Sequence, residues 1–161
     1  MRSFMSPVPC PRPLGRLSAR ALTALLPFAL AVMGCDTTVP TSLQIVTPES
    51  AANIKLGTDM DRSVDVKVRV QGFTLRKPGQ CQRMAACGHI RVKIDGDACN
   101  DGQNPYNNLA WTTGMQAHFR FCISPTGPHS IEVALYDDDN QPVPSEGTAQ
   151  TSGRVAVTTM N

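Results

Sequence analysis

Between Ser63 and Val70 the chain alternates strictly, with Val64, Val66, Val68 and Val70 on one side and Asp65, Lys67 and Arg69 on the other. A period of two belongs to an extended strand, and one apolar row opposite one charged row means one buried face and one wet face. The pattern recurs down the chain. In Gly88–Asp95 it puts Ile90, Val92 and Ile94 inward and His89, Arg91 and Lys93 outward. Met115–Ile123 sets Ala117, Phe119, Phe121 and Ile123 against His118 and Arg120. Ser130–Tyr136 buries Ile131, Val133 and Leu135, Arg154–Thr159 buries Val155 and Val157, and Leu43–Val46 forms a first strand ended by Thr47-Pro48. A weaker strand runs through Ala51–Leu56 or Leu109–Thr112. Gly, Pro, Asn and Asp separate these runs, and no helical period follows residue 35. The expected fold is therefore all-β, an antiparallel Ig-like β-sandwich of about seven strands. Parallel pairing is not expected, because parallel strands are apolar on both faces and need crossover helices. The likeness to immunoglobulin domains is architectural only, since Trp111 lacks the strand placement of a Cys…Trp…Cys core.

The first 34 residues are of another kind. They carry Arg2, Arg12, Arg16 and Arg20 and no acidic residue, and end in an apolar core from Ala21 to Met33. Such a core is too short to span a bilayer, and Pro27 would kink a permanent helix, so the segment reads as a signal peptide. Two cleavage sites compete. Ala29-Leu30-Ala31 would release a soluble chain beginning at Val32. The other site precedes Cys35: Val32-Met33-Gly34-Cys35 resembles the lipobox of bacterial lipoproteins, departing from it at Met33, where a smaller residue is usual. That resemblance implies cleavage before Cys35 and a diacylglyceryl group, with palmitate-type chains, on its thiol. The implied organisation is a signal peptide over 1–34, a tether over 35–42 and one sandwich domain over 43–161. It also implies a bacterial envelope address, lipid-anchored and facing the periplasm or exterior. Asp36 is similar to the inner-membrane retention signal of enteric bacteria, and the choice of membrane stays open.

Cysteine arithmetic favours the lipobox. Of six cysteines, Cys10 leaves with the signal, and acylation of Cys35 leaves Cys81, Cys87, Cys99 and Cys122 as an even set. Cleavage after Ala31 would leave five, one of them unpaired in an oxidising space. The expected bridges are Cys81–Cys87, inside one loop, and Cys99–Cys122, covering the outer sheet face, since Cys122 shares the parity of His118 and Arg120. Neither spacing contains a zinc knuckle. Cleavage also changes the charge: eleven of the 15 Lys and Arg but all 13 Asp and Glu follow residue 34, which leaves −2. No basic footprint for a nucleic acid remains.

The chain has no G-x-S-x-G, no H-E-x-x-H and no glycine-rich phosphate loop, so no enzyme class or cofactor is indicated. His89 and His118, both on expected outer faces, could pair as a surface metal site if their strands are neighbours, although solvated histidines are commoner there. Asp95–Asp101 has alternating carboxylates without the EF-hand glycine and glutamate, and Asp137–Asn140 faintly resembles the calcium segments of cadherin-type sandwiches. A turn in which Asp and Asn satisfy the local backbone is the alternative. Gly88–Gly96 with Gly127–Ile131 and Asp137–Asn140 also looks like small secreted bacterial sandwich domains of undefined function. Where those often have G-H-x-H, Arg91 stands here. Recognition is expected in the longest loops, Leu75–Gly88 and Gly96–Leu109, through Arg76, Lys77, Arg83 and Tyr106. The expected role is binding or structural, toward an envelope protein or glycan, with metal binding as the alternative.

Overall fold

A computed structural model describes residues 39–58 and 60–161. The signal segment, its cleavage sites and Cys35 lie outside the described residues. The described chain is all-β, a sandwich of two sheets. Its strands are β1 (Ser42–Thr47), β2 (Ala52–Lys55), β3 (Ser63–Gln71), β4 (Thr74–Leu75), β5 (Cys87–Ile94), β6 (Asn108–Ala110), β7 (Gly114–His118), β8 (Gly127–Tyr136) and β9 (Ser152–Met160). One sheet has the order β1-β3-β7; the other has β2-β9-β8-β5-β4, with β6 also paired to β5.

The strongly alternating segments all form strands, and both weak candidates do as well, as β2 and β6. Two pairings depart from the antiparallel expectation: β2 runs parallel to β9 and β4 to β5. β2 needs no dedicated crossover helix, because the rest of the domain connects it to β9, and β4 is only two residues long.

The core is what the alternation implies. Val64, Val66 and Val68 of β3 face Ile90, Val92 and Ile94 of β5 and Ile131, Val133 and Leu135 of β8, with Phe119 fully buried among them. Fully burying one such side chain contributes about 1.5–3 kcal/mol. Along the domain edge, Thr41 of the expected tether is already docked: its hydroxyl donates to the Gly72 carbonyl and its own carbonyl accepts from Gln150 N–H. Gly72 must lack a side chain, since a Cβ there would lie 2.5 Å from the Val39 carbonyl oxygen.

Two expectations about faces are corrected. The strand expected over Met115–Ile123 stops at His118, and Phe119–Phe121 forms a short 3-10 helix. The helix is held by Phe119 N–H on the Arg62 carbonyl and by an Arg120–Asp61 ion pair. Its three residues per turn reset the parity. Cys122 therefore turns into the core at 8% exposure, and Ile123, expected inside, is fully exposed. The second correction concerns β5, whose outer face is covered rather than wet: His89 is 0% and Arg91 6% exposed. An interior strand is crossed by chain on its outer side here, and the covering side chains form the centre of the candidate site.

Candidate functional site

Arg91 lies between the chain's two tyrosines, its guanidinium carbon 3.7 Å from the Tyr106 ring centre and 4.1 Å from that of Tyr136. The register makes room for it, because Arg91 is opposite Ala134 on β8, while His89 is opposite Tyr136. Arg91 Nε donates to His89 Nε2 at 3.2 Å, and Nη2 donates to Asn140 Oδ1 at 2.6 Å. The His89 ring stacks on Tyr136 with centres 6.1 Å apart. Burial, and then the neighbouring Arg91 charge, hold the His89 pKa below its ordinary value, against an opposing pull from Asp138 and Asp137. Neutral His89 accepts at Nε2 and carries its proton on Nδ1, which is buried without a partner.

This buried polar layer is tied to the loop between β4 and β5. The acidic turn after β8 supplies the tie: Asp138 Oδ1 accepts from Gly79 N–H at 2.6 Å and its Oδ2 from Cys81 N–H at 3.1 Å. Asp137 Oδ1 accepts from the N–H groups of Asp139 and Gln141 at 3.0 and 2.7 Å. The turn thus uses Asp137 and Asp138 to satisfy backbone. A Cys81–Cys87 bridge, as expected, closes the loop on β5. Gly88 then passes under the turn so tightly that a Cβ would sit 1.9 Å from the Tyr136 carbonyl oxygen. Held this way, the loop exposes Arg76, Lys77 and Arg83. None of the three forms an ion pair among the described residues. Lys77 Nζ stands 4.9 Å over the ring of Trp111, which is 41% exposed.

The second expected loop is used differently. It leaves the opposite end of β5 and returns as β6, so the two loops do not form one contiguous surface at one end. Tyr106, expected to reach outward, is half-buried over Arg91. Asn107 acts as a short piece of strand, accepting from His118 N–H at 2.7 Å and donating to the His118 carbonyl at 2.8 Å. Asn108 Nδ2 donates to the Gln116 carbonyl. These amides cover the β7 edge that β3 leaves open, which blunts a template for strand addition.

The candidate metal groups are dispersed. His89 and His118 sit on strands of different sheets, and His118 Nδ1 lies 3.7 Å from Asp61. Asp97 pairs with Lys93 and Asp101 with the Gln103 N–H. Asp95 accepts from Ser130 N–H and contacts His129 Nδ1, both at 2.7 Å. Burial pushes the Asp95 pKa up, but the Ser130 and His129 contacts outweigh it and hold it low. Asp95, Cys99, Cys122 and His129 bring four ligand atoms within 4.8 Å, yet the two sulfurs are bonded to each other as the expected Cys99–Cys122 bridge. They offer no thiolates.

Sequence reading missed the Arg91 layer, the Asp138 clamp and the Lys77–Trp111 contact. One signal was available: only two tyrosines occur, Tyr106 inside the second expected loop and Tyr136 at the border of the acidic turn. No helix among the described residues is long and apolar enough to cross a membrane. No known protein-family profile matches the chain, and no curated protein sequence matches it. Among solved structures it is similar to fibronectin(III)-like modules of Clostridium thermocellum CbhA, at 12% identity over 73% of this chain and 94% of that chain, with a TM-score of 0.43.

Proposed function

We propose that this chain is a lipid-anchored, non-catalytic binding module of the bacterial envelope, attached through Cys35 and presenting the braced loop after β4 to an envelope protein or glycan. The observation that carries the reading is the loop itself. A disulfide and two N–H bonds to Asp138 hold it, while Arg76, Lys77 and Arg83 stay exposed and form no ion pair among the described residues. A preordered loop loses less entropy on binding than a mobile one. Two disulfides support an oxidising, extracytoplasmic setting. The apolar run ending in Gly34-Cys35 supports the anchor; one acyl chain binds membrane only marginally, and lipoproteins of this type carry more than one.

Cross-linking in envelope fractions, with wild type beside an R76A/K77A/R83A variant, tests the binding surface. Capture of one partner by wild type and its loss in the variant is the expected result; undiminished capture by the variant refutes the loop. Intact mass tests the anchor separately. An acylated chain beginning at Cys35 is expected, and an unmodified chain beginning at Val32 rejects it.

A further inference from the structure

Beside the core disulfide, four metal-ligating side chains converge from three parts of the chain. Asp95 follows β5, Cys99 lies in the turn after it, Cys122 follows the 3-10 helix, and His129 is on β8 opposite Val157. One ligand atom from each lies within 4.8 Å of the others, and Cys99 Sγ is 3.7 Å from Asp95 Oδ2. His129 uses only one of its ring nitrogens. Nδ1 meets Asp95 Oδ2 at 2.7 Å, while Nε2 is buried with no hydrogen-bond partner among the described residues, in a side chain 6% exposed. A cleft of about 270 Å³, lined by all four residues, gives access to this corner.

The four are also held in place by bonds other than the disulfide. Asp95 N–H donates to the Ser130 carbonyl at 2.9 Å, and Cys122 N–H to the Phe119 carbonyl at 3.0 Å. The Cys99 carbonyl accepts from Asn107 Nδ2 at 2.8 Å. The donors therefore stay together when the bridge opens. Around a tetrahedral zinc ion with these ligands, donor atoms lie about 3.3–3.8 Å apart, which small side-chain rotations reach from the present spacing.

We propose that, with the Cys99–Cys122 bond reduced, this corner is a tetrahedral site for a divalent zinc-type ion, so that bridge and ion exclude each other. The ligands are the two thiolates and a ring nitrogen of His129. Asp95 completes the set, either as fourth ligand or by accepting Nδ1–H and so orienting the ring. Two thiolates and an imidazole suit a borderline-soft ion and not calcium or magnesium. A dithiol supplies the two electrons. Its thiolate attacks one cysteine sulfur, the S–S bond breaks, and its second thiol closes a new disulfide while Cys99 and Cys122 leave as thiols. The ion then displaces both thiol protons to solvent.

None of these residues belongs to the loop after β4, so the outcome leaves the test of that loop untouched. Zinc titration of the full chain, oxidised or reduced with a phosphine, against a chromophoric chelator tests the site, with cobalt as a spectroscopic probe. The reduced chain should take up one zinc, gain thermal stability from it, and give with cobalt the thiolate charge-transfer and visible bands of a tetrahedral ion. The oxidised chain should bind about a hundredfold more weakly or less. C81A/C87A should keep the site and C99A/C122A should lose it. Because that second pair of changes also opens the core, D95N and H129Q give an independent reading, and each should lose about tenfold or more. Equal uptake by the oxidised and reduced chains, no uptake by the reduced chain, or full affinity in D95N or H129Q overturns the inference. So does zinc binding that C99A/C122A keeps and C81A/C87A loses.

Discussion

From His89 to Val92 both faces of β5 are buried, with opposite chemistry. Inward, Ile90, Val92 and Ile94 are fully buried among other aliphatic side chains. Outward, His89 and Arg91 are nearly as buried, in a layer of two tyrosines and an asparagine. The inner face needs volume and apolarity, and is indifferent to direction. The outer face needs specific donors and planes, because a buried polar group left unpaired costs about 1–3 kcal/mol. One strand thus supports a general core on one side and a directional lock for loops on the other.

The comparison breaks first at Ile90. Ile90→Ala should cost about 4 kcal/mol through lost burial and a cavity, measured by urea unfolding. Next come the two bridges, one on each side. Cys99 and Cys122 belong to the inner core, and their separation of 23 residues exceeds the 6 of Cys81–Cys87. Opening them by paired Cys→Ala changes should cost about 3.5 and about 2 kcal/mol respectively. Conservative exchange sharpens the contrast. Ile90→Leu should cost about 1 kcal/mol, but Arg91→Lys about 2, because an ammonium cannot stack between two rings and still serve His89 and Asn140. Equal costs for these two exchanges would remove the distinction between the faces.

Acid should reach the outer layer of β5 before it reaches the turn that follows the strand. His89 has a lowered pKa in the fold, so its neutral form contributes stability fully above the unfolded value of 6.5, and that contribution is lost as pH falls through the lower folded value. Protonation would set an imidazolium against the Arg91 Nε donor. Asp95, also lowered, holds its contribution until pH drops below 3.8 and on through its folded value. Thermal melts against pH should show these losses in that order, and His89→Gln should flatten the first. The smallest effects belong to the exposed loop. Alanine at Arg76, Lys77 and Arg83 should each change stability by less than about 0.5 kcal/mol.

Most of the sandwich was legible because alternation reports a strand with one wet face, and β1, β3, β5, β8 and β9 obey it on their inner side. The same rule failed at His89 and Arg91. Period two tells which residues share a face, not whether another segment covers that face, and the cover comes from Tyr106, Tyr136 and Asn140, distant in sequence. It failed again at Cys122 and Ile123, where three residues of 3-10 helix shift the parity without any local Gly or Pro to announce it. The disulfide pairing was legible from loop membership. Trp111 was not, because its place beside Lys77 depends on β6 pairing back along β5.

Amide hydrogen exchange in wild type and Arg91→Leu tests most directly whether the outer layer locks the loops. In wild type, the Gly79 and Cys81 amides are bonded to Asp138 and should be protected. Arg91→Leu removes the bond to Asn140 in the same turn, so these two amides should exchange faster by about tenfold or more, while Val92 and Val133 in the β5–β8 ladder hold their protection. Unchanged exchange at Gly79 and Cys81 would contradict the account.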